Sequence, residues 1–160
     1  MERNQKSFKE MLSFGEDGEH EVAQILLKNG VSVMPLYQFG STHSPFIIKD
    51  TNKIVAPDLI CFKNDCFLVE VKTKNQWVEY KGVIETGLDL RLFKHYEEIQ
   101  KATNKEFFIF FNQKEKEPTG FFYCKLNDYT RIWDGKVNGV DKYKAMVFYN
   151  INILKQIFED

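Results

Sequence analysis

Apolar residues in this chain come in short dense runs and in helically spaced stripes, and the two patterns separate strands from helices. The stretches flanking Asn64, together with Phe107–Phe111, are rich in Ile, Leu, Val, Phe and Cys. Runs of that kind read as strands buried on both faces. A helix is expected from Asp17 or Gly18 to Lys28, stopped by Asn29-Gly30. Ahead of it, Ser7 and Glu10 have capping-box spacing and allow one or two helical turns, which Gly15 and Gly18 interrupt. Val31–Phe39 reads as a strand whose Pro35 weakens its middle or marks an edge. Gly40–Pro45 is a loop, Phe46–Lys49 a short strand, and Asp50–Lys53 a turn. Asn75–Glu85 fits either loop or short strands. Thr86-Gly87 introduces a helix from Leu88 or Asp89 to about Thr103, with Leu88, Leu92, Tyr96 and Ile99 on its apolar face. Beyond Phe111, Lys114–Pro118 is a charged turn, Phe121–Leu126 a strand and Asn127–Asp141 turn-rich. Met146–Asn150 reads as the last strand and Ile153–Phe158 as a short closing helix. The order of elements indicates a mixed α/β layer.

The 160 residues suffice for one domain with a sizeable core, so a single unit over 1–160 is expected, with 1–13 frayed. Net charge is −1, which argues against a protein that coats nucleic acid by bulk electrostatics. Phosphate contacts would need a local patch, such as Lys72, Lys74, Lys81, Arg91 and Lys94. The apolar runs are too short to span a membrane, and the N-terminus lacks the apolar core of a secretory signal. The three cysteines, Cys61, Cys66 and Cys124, form no CxxC pair, which disfavours a zinc site and fits a reducing, cytoplasmic setting. His20, His43 and His95 make no ligand set. Neither a Ser-His-Asp arrangement nor a phosphate-binding Gly loop occurs, which disfavours acyl transfer and ATP hydrolysis.

The chemistry concentrates in APDLICFKNDCFLVEVK, where Pro57-Asp58 is followed by Glu70-Val71-Lys72. Residues two apart in a strand share a face, so Glu70 and Lys72 emerge together and Val71 points the other way. A two-residue turn at Asn64-Asp65 would put Asp58 opposite Val71. A three-residue turn over Lys63–Asp65, ending in a left-handed residue that Asn or Asp tolerates, puts it opposite Glu70. A bulge near Asp58 would serve equally. Two carboxylates and an ammonium then share one patch, able to hold a divalent cation beside a phosphodiester. Each residue also has a plainer reading: Asp58 as a turn residue, Glu70 as a solvated strand end or the partner of Lys72. Lys74 leaves the sheet end, where it can meet solvent or nucleic acid. Trp77, close to Lys74, can stack on a base, although packing is the commoner use of such a residue.

Pro57, Asp58, Glu70 and Lys72 together resemble the core signature of the PD-(D/E)xK nuclease superfamily, with a helix expected before the hairpin and another after it. The resemblance implies a restriction endonuclease-like α/β core, a mixed central β-sheet flanked by helices, similar to Holliday junction resolvases and small restriction-like enzymes. It implies Mg²⁺, with Mn²⁺ substituting, held by Asp58, Glu70 and the backbone carbonyl of Val71, and Lys72 assisting the attacking water. The family often adds an acid from the preceding helix, and Glu16, Glu19 and Glu21 are candidates. Val22, Ala23 and Leu26 follow Glu19 at helical spacing, so Glu19 sits on the apolar face, Glu16 on its flank and Glu21 on the opposite side. Gln100, near the end of the second helix, matches a position that some related nucleases place near the scissile phosphate. The implied partner is DNA, with RNA the weaker alternative. A two-fold dimer would suit cutting both strands of a symmetric site. Recombination, repair, replication and restriction remain open as processes. The competing class is a catalytically silent module of the same fold that binds nucleic acid or a protein.

Overall fold

In this computed structural model the described residues are 17–36 and 45–157. The expected helix near Ser7, the later part of the Val31–Phe39 strand, and His43 lie outside them. Helix α1 (Asp17–Lys28) ends where Gly30 takes a positive φ of 74°, as the Asn29-Gly30 stop requires. Strands β1 (Ser32–Pro35), β2 (Phe46–Lys49), β3 (Asn52–Val55), β4 (Leu59–Lys63) and β5 (Asp65–Lys74) follow. Next come β6 (Val78–Tyr80), β7 (Val83–Asp89), helix α2 (Leu90–Thr103) and β8 (Phe107–Gln113). The chain closes with β9 (Gly120–Lys125), β10 (Arg131–Trp133), β11 (Lys136–Val137), β12 (Val140–Asp141), β13 (Met146–Asn150) and β14 (Lys155–Ile157).

A six-stranded sheet in the order β1-β4-β5-β8-β9-β14 forms the centre. It is mixed: β5 runs parallel to β8, and its other neighbouring pairs are antiparallel. Alternation sends Val69, Val71 and Phe110 to one face, where they pack with Val22, Ala23, Ile25 and Leu26 of α1. Leu68, Phe107, Ile109 and Phe111 go to the other, against Phe93, Tyr96 and Ile99 of α2. Burial on both faces is what the dense apolar runs at β5 and β8 predict.

A second sheet, β10-β13-β7-β6, shares the α2 side of the core through Leu88, Val147 and Tyr149. Its presence corrects several expectations. Thr86 and Leu88 do not open a helix; they belong to β7, paired with Tyr149 and Val147. The helix starts one step later, where the Asp89 carboxylate accepts the Arg91 N–H at 2.8 Å as an N-cap. Its buried stripe is Phe93, Tyr96 and Ile99, and Leu88 reaches the same core from the sheet. The turn after β2 is confined to Asp50 and Thr51, and Asn52–Val55 pairs back on β2. The Asn75–Glu85 region contains β6 and the start of β7, and Asn127–Asp141 carries three short strands. The closing helix is replaced by a 3-10 turn, Ile151–Ile153, and by β14, which completes the edge of the central sheet by pairing with β9. Trp77 is a packing residue: it is 5% exposed, lies edge-on to Phe122, and its Nε1 donates to the carbonyls of Lys116 and Pro118.

Candidate active site

The β4–β5 register runs Leu59↔Val69 through Lys63↔Asp65 and, continued by one residue, sets Asp58 against Glu70. The left-handed residue of the turn is Asn64, φ 64°, in the middle of the expected three-residue loop and not at its end. The paired region stops at Leu59. Past that point the Val71 N–H donates to Asp58 Oδ2 at 2.7 Å, while the Asp58 carbonyl accepts from Leu36 N at 2.9 Å. Asp58 is thereby fixed by backbone on both sides.

Asp58 and Glu70 are only 6% and 2% exposed. Burial, and then the neighbouring charges of Glu70 and Glu19, push the Asp58 carboxyl well above the usual carboxylate range, against the lowering effects of the Val71 hydrogen bond and Lys72. Lys72 forms an ion pair with Glu70 Oε1. Glu70 Oε2 is buried with no hydrogen-bond partner among the described residues. A buried carboxylate oxygen without a donor is costly unless a cation or water completes it.

Glu19 reaches this cluster from α1, on the far side of the sheet. Gly18 makes the approach feasible: a Cβ there would lie 2.1 Å from Thr73 Oγ1 of β5. The helix therefore seats against the end of β5, and Glu19, Asp58, Glu70, Val71 and Lys72 line one cavity of about 230 Å³. Leu92 and Tyr96 of α2 form another part of its wall. Among the described residues no group of three or more His, Cys, Asp and Glu side chains stands close enough to be a ready-made metal cluster. Asp58 and Glu70 are buried and Glu19 half-buried, and carboxylate oxygens are hard donors of the kind Mg²⁺ or Mn²⁺ takes along with waters and phosphate.

The other acids and candidates separate clearly. Glu21 points along the sheet, where its carboxylate accepts from Asn112 Nδ2 at 2.6 Å and pairs with Lys114. Glu16 lies outside the described residues. Lys74 stands two residues beyond Lys72 but lines a different cavity, with Trp133, Tyr143 and Lys144. Gln100 is one turn past Tyr96, its carbonyl taken by the Asn104 N–H at the end of α2, and it is absent from the walls of the Asp58–Glu70 cavity. Tyr96 and Thr73 border the site without having been singled out for it in the sequence. Tyr96 sits on the core stripe of α2 and stacks on Phe107, so spacing alone marks it as packing.

No family model matches the chain, and no curated protein matches it. Among solved structures, it is similar to Hjc from Archaeoglobus fulgidus, a Holliday junction resolvase from an archaeal hyperthermophile. The TM-score is 0.53 at 11% sequence identity, over 87% of this chain and 90% of that one. At that identity the likeness is one of fold, a mixed α/β architecture around a mixed central sheet.

Proposed function

We propose that the chain is a metal-dependent nuclease that hydrolyses DNA phosphodiester bonds at the cavity walled by Asp58, Glu70 and Lys72. The observation that carries the reading is the convergence of Glu19, Asp58, Glu70 and Lys72 on one cavity, with Glu70 Oε2 buried and without a hydrogen-bond partner among the described residues. Asp58, Glu70 and the Val71 carbonyl would hold Mg²⁺ or Mn²⁺, with Glu19 adding a third carboxylate. Such an ion, when bound, supplies Lewis-acid polarisation of a phosphate oxygen and a more acidic water. Lys72 acts on the other side of the reaction. Its ammonium orients the attacking water and offsets negative charge building on the phosphorus oxygens. Glu70 holds Lys72 in place through their ion pair. The Val71 N–H bond keeps Asp58 from rotating out of the site. The resolvase-like fold supports a nucleic-acid substrate, and the local cations stand in for the bulk charge the chain lacks.

The test is a panel of branched, single-stranded and duplex DNAs incubated with Mg²⁺ or Mn²⁺. Cleavage is expected with either ion, none with EDTA, and a loss of at least about a hundredfold in Lys72→Ala, in line with removal of a single transition-state-stabilising group. Unimpaired cutting by Lys72→Ala removes the role given to it. Absence of both cleavage and Mg²⁺ or Mn²⁺ binding near Asp58 favours the silent binding module.

A further inference from the structure

Two residues past Lys72 on β5, Lys74 enters a second cavity of about 340 Å³. Gly87 and Phe148 also line it, packed so closely that a Cβ on Gly87 would lie 3.0 Å from the Phe148 ring. Its aromatic wall is Trp133 and Tyr143, with ring centroids 5.7 Å apart. Tyr143 is 59% exposed, and its loop is pinned by the Gly135 carbonyl, which accepts the Tyr143 N–H at 2.9 Å. Lys144, exposed beside Tyr143, lines both this cavity and the adjoining one of about 590 Å³ that holds Arg91 and Lys94. In a chain of net charge −1, Lys74 and Lys144 share one cavity, and Lys144 shares the next with Arg91, Lys94 and a single acid, Asp89.

An exposed Tyr143 ring, backed by the half-buried Trp133 and set beside ammonium groups, suits a flat base flanked by phosphates. A paired base presents only its edges, so it cannot lie on the rings unless it leaves the duplex. We propose that the Trp133–Tyr143 cavity is a subsite for one unpaired nucleotide, its base stacked on those rings and its phosphates held by Lys74 and Lys144. The subsite rests on the nuclease reading, and it narrows the substrate to DNA with a single-stranded segment adjoining the scissile phosphate. The strand leaves the Lys72 site along β5 and continues over Lys144 towards Arg91 and Lys94.

The test measures anisotropy of a labelled duplex bearing a short oligothymidylate overhang, of either polarity, against the same duplex blunt-ended. Binding is read in EDTA and again with Ca²⁺, so no cleavage is needed. The wild type is expected to prefer the overhang. Tyr143→Ala and Trp133→Ala should each weaken overhang binding about fivefold or more. Blunt-duplex binding should be unchanged in both. Lys144→Gln, at an exposed position that should not disturb folding, should reduce the slope of log affinity against log salt by about 0.7 on the overhang. Wild-type affinity for the overhang in Tyr143→Ala and Lys144→Gln overturns the subsite, as does lack of overhang preference in the wild type under both conditions. If the preference stands but Mg²⁺ elicits no cleavage, the subsite survives and the nuclease reading fails. Lys72-dependent cleavage without the preference has the opposite meaning.

Discussion

Asp58 carries a conflict between folding and function. It is buried, faces two other carboxylates and is held ionisable only by the Val71 N–H and Lys72. Charging it in the cation-free protein costs stability. Asn has the same shape, keeps an oxygen for the Val71 N–H, and adds an amide donor towards Glu70 and Glu19. In EDTA at neutral pH, Asp58→Asn should therefore be more stable than the wild type by about 1 kcal/mol, or about 2–4 °C in Tm. The pH dependence has a definite sign. The folded-state pKa lies above the unfolded one, so the stabilisation from a protonated Asp58 is complete below the unfolded carboxylate value. It fades as pH rises through the raised folded value. The advantage of Asp58→Asn should accordingly widen with pH. Adding Mg²⁺ should raise the wild-type Tm and leave the variant's almost unmoved. Thermal scans across pH with EDTA or Mg²⁺ check both parts, and a lower Tm for Asp58→Asn in EDTA refutes the account.

At the scale of elements, the site depends on how closely α1 seats on β5. Gly18→Ala places a methyl 2.1 Å from Thr73 Oγ1, so either the Thr73 side chain rotates or the helix lifts and takes Glu19 with it. Overpacking of this kind costs about 1–3 kcal/mol. Removing the obstructing hydroxyl and methyl in Gly18→Ala/Thr73→Ala should recover most of that loss, and a double-mutant cycle by urea denaturation measures the coupling. Additive losses would show that Gly18 matters for some other reason. This seating also shows what the sequence can disclose. Glu19 is legible because Val22, Ala23 and Leu26 define the face it shares. The Asp58–Glu70 register is legible only in part: the polar break marks a hairpin, but turns of two and three residues both fit it, and the Lys63↔Asp65 pairing around a left-handed Asn64 decides between them. The start of α2 is not legible, since Leu88 satisfies helical spacing while its backbone is paired with Val147 of β13, some sixty residues away in sequence. The same distance hides Trp133, Tyr143 and Lys144: they come beside Lys74 through the pairing of β10, β13 and β7, and no local pattern encodes that. Strands of two or three residues such as β11 and β12 look like turns because exposed edges need no apolar run.

At the scale of the whole molecule, the two proposed working surfaces lie on different sheets, Lys72 on the central one and Trp133 on the smaller one. They can cooperate only if the sheets move as one body. The core argues that they do: Leu88, Val147 and Tyr149 of the smaller sheet pack in one cluster with Phe107, Ile109 and Phe111 of the central sheet and with α2. The Tyr149 hydroxyl adds a buried link, donating to the Leu126 carbonyl just past β9 at 2.8 Å. Leu88→Ala tests this from the smaller sheet. Truncating a leucine that is 1% exposed should cost about 2–5 kcal/mol. If the chain unfolds as one unit, the slowest-exchanging amides of Phe107–Gln113 should lose the same protection as those of Met146–Asn150, and calorimetry should give a single lowered transition. Protection lost only in β7 and β13, with the central sheet unchanged, would mean that the smaller sheet opens independently. The aromatic subsite would then be free to swing away from Lys72, and a strand held at one could not be positioned by the other.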